Sequence, residues 1–469
     1  MQVVDVRTAG RLFGDHRRGA RLKQLVEALT ASCAAHLPAA LGGWRGVKAA
    51  YRFFANPAVT PEAILASARP GLLDRLAGQT TVLLLQDTTT LDFTPHPATR
   101  GVGPIGTRRQ GHWGLLLHSC LAVTPAGVPL GIAAQESWAR DARQTGQAQQ
   151  RRTRAASAKE SARWARVEAQ SRAVIPDGVR TVTIADREAD LYPLFAAARP
   201  AQAHLLIRVA QTQRRVQTAT DAVATQALAD AAAAAPVWGR YSVAVRAEPG
   251  RPARTALCTV RVGPVTLCPP QNQRAGVRQT QTVPLVALLA AEEQPPPGQP
   301  PLHWLLLTTL AVTDFAAAAE LLLWYSLRWL IERFHFVLKS GCRVEELQLQ
   351  QGDRLRRAVA VCSLVALTVL GLTYLAREAP ELPCTVALTD AEWQTLWRYQ
   401  FPTQPLPATP PPVGAMAPQV ARLGGFLGRK GDGDPGPLTL WRGLSRLRDL
   451  TAGTLLAAAP PLLHNVGNA

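Results

Sequence analysis

No C-x-x-C pair occurs anywhere in the chain, and its seven cysteines are odd in number and scattered. That pattern offers neither a disulfide framework nor a zinc site, and it fits a reducing cytoplasm. The first residues, MQVVDVRTAGRLFGDHRRG, carry no apolar stretch behind their charges, so a signal peptide is not expected. No internal repeat is found. Acidic residues are scarce: 33 Asp and Glu against 51 Lys and Arg, a formal charge of +18. A soluble chain that basic faces a polyanion, of which nucleic acid is the commonest. One stretch, Ala358 to Ala376, is uncharged and long enough to cross a bilayer, though Ser363, Thr368, Gly371 and Thr373 dilute it. We read it as a buried core helix, with no membrane partner.

At roughly 100 to 200 residues per domain, the length allows two to four domains. Residues 1–75 read as a helical module, with Leu22, Leu25, Val26 and Leu29 at helical spacing behind a cap at Asp15. TTVLLLQD ends a short apolar strand on Asp87, and VRTVTIAD ends another on Asp186. Between them, Leu115 to Val123 and Val128 to Ala133 flank Pro125, Ala126 and Gly127 as a hairpin, and the Arg-rich segment 139–173 reads as helical. HLLIRV, from His204 to Val209, is a further strand. Three strands, a helix, a strand, a helix and a strand is the order of a ribonuclease-H-like α/β fold. Residues 211–300 read as a β-rich insertion closed by prolines, 301–378 as the second part of the core, and 379–469 as a C-terminal helical domain. The first part of the core is then 76–210.

The informative segment is WYSLRWLIERFHFVLKS, Trp324 to Ser340, expected to lie on one helix from about Thr313 to Lys339. At 100° per residue, Tyr325, Arg328, Glu332 and Lys339 fall within an arc of roughly 60°. An ordinary amphipathic helix with a wet polar side accounts for that spacing equally well. The two strand-end aspartates shift the balance, because adjacent parallel strands would bring them together near Glu332. Three converging carboxylates repel one another unless cations sit between them, and oxygen-only ligation selects magnesium or manganese over zinc. Two such ions can clamp the attacking and leaving oxygens of a phosphoryl transfer. His118 and His335 are expected to pack or hydrogen-bond locally, since no second histidine stands at metal spacing.

With Tyr325, Arg328, Glu332 and Lys339 in this spacing, the chain resembles the insertion-sequence-four family of DDE transposases, the group that contains the transposon-five transposase. QDTTT from Gln86, DREAD from Asp186, WLLLT from Trp304 and IERFH from Ile331 support the likeness. So do GDHRRGARL, AYRFFANPAVTPEAI and ARLGGF towards the two ends. The resemblance implies cut-and-paste transposition with Asp87, Asp186 and Glu332 as ligands of two Mg2+ ions, replaceable by Mn2+. It implies that Arg208, Tyr325, Arg328 and Lys339 hold transposon-end phosphates and that Trp304 stacks on a flipped base. Without the resemblance, Trp304 reads as a core residue of an apolar strand. Glu188 and Asp190 are read as supporting groups, since side chains just past a strand end turn away from its tip. The resemblance also implies a basic residue one turn past Glu332, where this chain has Phe336.

Arg17, Arg18 and Arg21 open a helix, where the macrodipole disfavours cations, so they suit an anion pocket for terminal-repeat DNA better than they suit helix stability. A solvated basic face is the alternative. Trp44, Arg45, Lys48, Tyr51 and Arg52 add aromatics among cations. An apolar stripe from Leu438 to Leu450 would pair with a second copy or pack internally. The partners expected are double-stranded DNA, both terminal repeats and target, and a second copy of the chain, in a bacterial, nucleoid-associated setting. A metal-dependent nuclease that does not join ends, and an inactive DNA-binding repressor, are the competing readings.

Overall fold

The computed structural model describes residues 4–33, 37–106, 110–144, 159–218, 221–245, 253–271, 280–429 and 431–458. Two compact units emerge, and they do not follow chain order. One takes Met1–Gly71 with Phe334–Ala469, the other Leu72–Arg333.

The second unit is built on one mixed sheet of twelve strands. They are β1 (Thr81–Asp92), β2 (Gly103–Pro104), β3 (Trp113–Val123), β4 (Pro129–Trp138), β5 (Arg180–Ala185), β6 (Ala203–Arg208), β7 (Arg215–Thr218), β8 (Asp221–Ala227), β9 (Val237–Val245), β10 (Arg254–Leu267), β11 (Val283–Glu292) and β12 (His303–Thr308). Strand β1 is central: Val82 to Leu85 are fully buried, which is the continuous apolar run of a strand covered on both faces. It pairs antiparallel with β3, which carries β4 as the expected hairpin, and parallel with β5, which pairs parallel with β6.

The 211–300 segment is β-rich, yet it does not form a sheet of its own. Strand β12 pairs with β6, β11 with β12 and β10 with β11, so the inserted strands extend the same sheet. The joint is β12, whose apolar Leu305, Leu306 and Leu307 are buried.

The expected helix across 139–173 is shorter. It is ordered as a helix at Arg163–Arg172, and 145–158 lie outside the described residues. The expected single helix from Thr313 to Lys339 is broken. It runs Phe315–Ser326, capped by Asp314, then Trp329–Phe336, then a wider π turn at Val337–Gly341. At the break, Arg328 N–H reaches Tyr325 and Leu330 N–H reaches Leu327, tight i to i−3 bonds that interrupt the α ladder. No Pro or Gly marks the spot, so the 100° projection does not hold through it.

In the first unit, α1 (Val6–Leu12), α2 (His16–Ala31), α3 (Leu37–Ala40), α4 (Trp44–Ala55) and α5 (Pro61–Ala66) lead, followed by α6 (Arg69–Leu76) at the boundary. In the second unit the helices are α7 (Arg163–Arg172), α8 (Tyr192–Ala196), α9 (Leu228–Ala234) and α10 (Phe315–Ser326), with α11 (Trp329–Phe336) crossing the boundary. The first unit resumes with α12 (Gly352–Glu378), α13 (Asp390–Gln400), α14 (Val413–Leu423) and α15 (Pro437–Ala458). Asp15 caps α2 by accepting from Arg17 N–H at 2.8 Å. The apolar helix α12 is a core element: 94% of its most apolar window is buried, as expected for the run it contains. Much of the apolar stripe on α15 also packs internally, Trp441 donating its indole N–H to Thr30 O at 2.8 Å.

Helices α14 and α15 approach at two glycines. A Cβ on Gly443 would lie 1.9 Å from Val420 O, and one on Gly424 would lie 1.9 Å from Thr439 O. The neighbours are backbone and cannot swing aside. Gly443→Ala should therefore cost about 1–3 kcal/mol or more in a denaturant melt, whereas Gly453→Ala, with open space around it, should cost nothing. Equal melts would show that the helices do not touch there.

Candidate active site

Strands β1 and β5 are in parallel register with Gln86 opposite Ala185, so the next residues, Asp87 and Asp186, stand side by side where the β5 strand ends. Asp186 leaves the sheet as the cap of a short turn, its carboxylate accepting from Arg187 N–H at 2.6 Å. Asp87 accepts from Thr88 N–H at 2.8 Å. Glu332 lies in the first turn of α11.

Arg328, at the break between α10 and α11, joins these groups. Its guanidinium is 2.5 Å from Glu332 and 4.0 Å from Asp186. Burial works against its charge, but Tyr325, Glu332, Asp186 and Asp87 together hold it above its usual value. Asp87 is the frustrated member. Burial pushes its pKa up to about 6, with Glu332 and Asp186 adding to the rise, against the Thr88 hydrogen bond and Arg328. Among the described residues, no group of three His, Cys, Asp or Glu is gathered closely enough to hold a metal ion. The guanidinium stands among the carboxylates instead.

The remaining expected residues fall into three places. Trp304, on β12, meets Tyr325 edge to face with ring centroids 5.0 Å apart. Trp304 is only half-buried, whereas Tyr325 is buried, its phenol pushed up first by burial and then by Asp186. Arg208 ends β6, opposite Leu306 of β12, and reaches His303 O at 3.2 Å. Lys339 belongs to the first unit and lies in the π turn, 3.4 Å from Glu345. Arg17, Arg18 and Arg21 line a cavity of 730 Å³ in the first unit with Arg45, Lys48 and Arg52, and no acid lines it. Trp44 is 73% exposed, while Phe53 is buried in the core. Phe336 is exposed.

The two later acids of DREAD are each paired with an arginine. Buried Asp190 meets Arg214 at 2.9 Å and accepts from Ala210 and Gln211 N–H at 2.8 Å, which anchors the turn to the end of β6. Glu188 meets Arg163 at 2.7 Å. His335 is buried and held neutral, burial and Lys339 pushing it down to about 3, and His118 is buried within β3. Sequence reasoning did not single out Arg163, because it sits in a run of polar residues where nothing distinguishes a buried arginine from a solvated one.

Three family models match the chain. "Transposase DNA-binding" matches residues 6–59, which hold the basic cavity, and "Transposase DDE domain" matches 145–368. "Transposase Tn5 dimerisation domain" matches 364–459. The DDE match takes in Asp186 and Glu332 and begins after Asp87, whose place in the cluster rests on the β1–β5 pairing. DDE transposases work with divalent metal ions. Carrying these three modules in this order, the chain belongs to the Tn5-like, insertion-sequence-four family of DDE transposases, enzymes that cleave DNA and transfer its strands.

Proposed function

We propose that this transposase moves its element by cut-and-paste chemistry at a site formed by Asp87, Asp186 and Glu332. The observation that carries the reading is the juxtaposition of Asp87, inside β1, which runs on past the expected strand end to Asp92, and Asp186, just after β5, with Glu332 around one guanidinium. The donor set is all oxygen and hard, and it suits Mg2+ or Mn2+, two ions per site. The raised Asp87 pKa supports this fit, since a cation relieves the repulsion that burial intensifies. When bound, the ions supply Lewis-acid activation of the attacking oxygen and stabilisation of the leaving one. Arg328 balances the carboxylates without metal, and on DNA it turns to a phosphate. Strand order β4-β3-β1-β5-β6, three antiparallel strands followed by two parallel ones, supports a ribonuclease-H-like core.

The steps proposed are nicking at the transposon end, attack of the new 3′-hydroxyl on the opposite strand to give a hairpin, and transfer to target DNA. Half-buried Trp304, lying against Tyr325 near Arg208, is a platform for a base flipped out of the end. The basic cavity on α2 and α4 binds terminal inverted repeats through phosphates, and Lys339 adds a further phosphate contact. The segments 1–75, 76–210, 211–300, 301–378 and 379–469 serve as end binding, core, insertion, core and dimerisation. Dimerisation through the last segment joins two ends in one cytoplasmic, nucleoid-associated complex.

Asp87→Ala, Asp186→Ala and Glu332→Ala should each abolish Mg2+-dependent nicking of a labelled duplex carrying the element's flanking repeat, while gel-shift binding persists. Nicking retained in one variant removes that residue from the site.

A second expectation concerns the metal-free protein. A carboxyl whose folded pKa is raised favours the protonated native state. Its contribution is full below about pH 4 and is lost as pH rises through about 6, a loss of about 3 kcal/mol. Denaturant melts in chelator from pH 4 to 7 should show this decline in the parent and a flatter curve in Asp87→Asn. Parallel curves would mean that Asp87 is not strained.

A further inference from the structure

Behind the carboxylates lies a buried hydrogen-bonded chain that the chemistry above does not use. Side chains alternate along a strand, so Gln86 and Thr88 share the face of β1 opposite Asp87. His118 of β3 is paired directly across from Thr88 and is fully buried. Its Nδ1 lies 2.8 Å from Thr88 Oγ1, and its Nε2 lies 3.2 Å from Gln86 Oε1. The ring thus grips the two residues that flank Asp87.

Arg163, the first residue of α7, enters from the other side. Its Nε donates to Thr88 Oγ1 at 3.1 Å, its Nη2 to Glu188 at 2.7 Å, and its Nη1 to Glu160 O at 3.2 Å. Trp138 and Trp164 hold the guanidinium at 5.7 and 5.4 Å from their rings, and the Trp164 ring also meets His118 at 4.5 Å. Arginine only donates, so Thr88 Oγ1 accepts from Arg163 and keeps its own proton free for His118 Nδ1. His118 Nε2, facing the carbonyl oxygen of the Gln86 side chain, then takes the donor role toward it.

We propose that Arg163 is a positioning residue for the metal site. Through Thr88 it sets the β1 residue beside Asp87, and through Glu188 it sets the turn that carries Asp186. One rigid fork spans both, so the separation of the two aspartates is fixed before an ion arrives. A lysine has donors but no planar fork, so it cannot hold the two partners at the fixed spacing of Nε and Nη2. The inference rests on the reading that Asp87 and Asp186 are ligands.

The test is Mn2+ affinity of the full-length protein without DNA, read from the electron paramagnetic resonance signal of free Mn2+, beside a thermal melt. Arg163→Met should weaken Mn2+ binding about tenfold or more, the usual effect of losing a group that orients ligands. Arg163→Lys should not rescue it. Glu188→Ala should show the same defect, and the double variant should be no worse than either single change. High Mn2+ should restore the nicking rate, which a folding defect would not allow. Glu188 is 68% exposed, so its variant folds even where Arg163→Met does not. Thr88→Val offers a third route to the same break. Wild-type Mn2+ affinity in folded Glu188→Ala or Arg163→Met, or additive losses in the double variant, would overturn the brace. Wild-type affinity in Asp87→Ala and Asp186→Ala would overturn the metal site itself, and the brace with it.

Discussion

Mutual repulsion of three carboxylates is the constraint around which this catalytic unit is arranged. Parallel pairing of β1 with β5 leaves Asp87 and Asp186 adjacent, and α11 adds Glu332. Such a cluster costs free energy wherever water is excluded: burial is the first cause of the raised Asp87 pKa, and Glu332 and Asp186 add to it. Without an ion, Arg328 carries the balancing charge. The break between α10 and α11 sets Arg328 at the start of α11, one turn before Glu332. In a continuous helix the same residues would project differently.

The sheet also explains why the insertion matters to the site. Strand β12 is paired to β6 on one side and to β11 on the other, so Trp304 is set by a strand that the insertion delivers. Five inserted strands therefore extend the core sheet outward from the joint that presents Trp304 against Tyr325. The basic cavity belongs to the helical unit and owes its charge to two helices, α2 and α4, whose cations share one lining. Its capping residue, Asp15, satisfies the helix end from which those arginines project.

Much of this was legible in the chain because the signals are local. Apolar runs ending on Asp87 and Asp186, the hairpin about Gly127, and the cap at Asp15 all follow from residues within a few positions of each other. The motif with Tyr325, Arg328, Glu332 and Lys339 led to the family, yet its helical projection failed: tight turns near Arg328 interrupt the ladder and no breaker residue announces them. Lys339 stands in a π turn, 3.4 Å from Glu345. Arg163 was silent, and His118 was expected to pack or hydrogen-bond with no sign of its partners, for another reason. Their partners are 75 and 32 or 30 residues away, and only the folded sheet brings them together.

The central claim is that the cluster is an ion site held in balance by Arg328. Melting temperature measured against Mn2+ concentration tests it most directly, because an ion that binds only the native state raises stability with its concentration. The account predicts a rise in the parent that continues past saturation, and none in Asp186→Asn, where one ligand is lost. An equal rise in both proteins, or no rise in either, would contradict it.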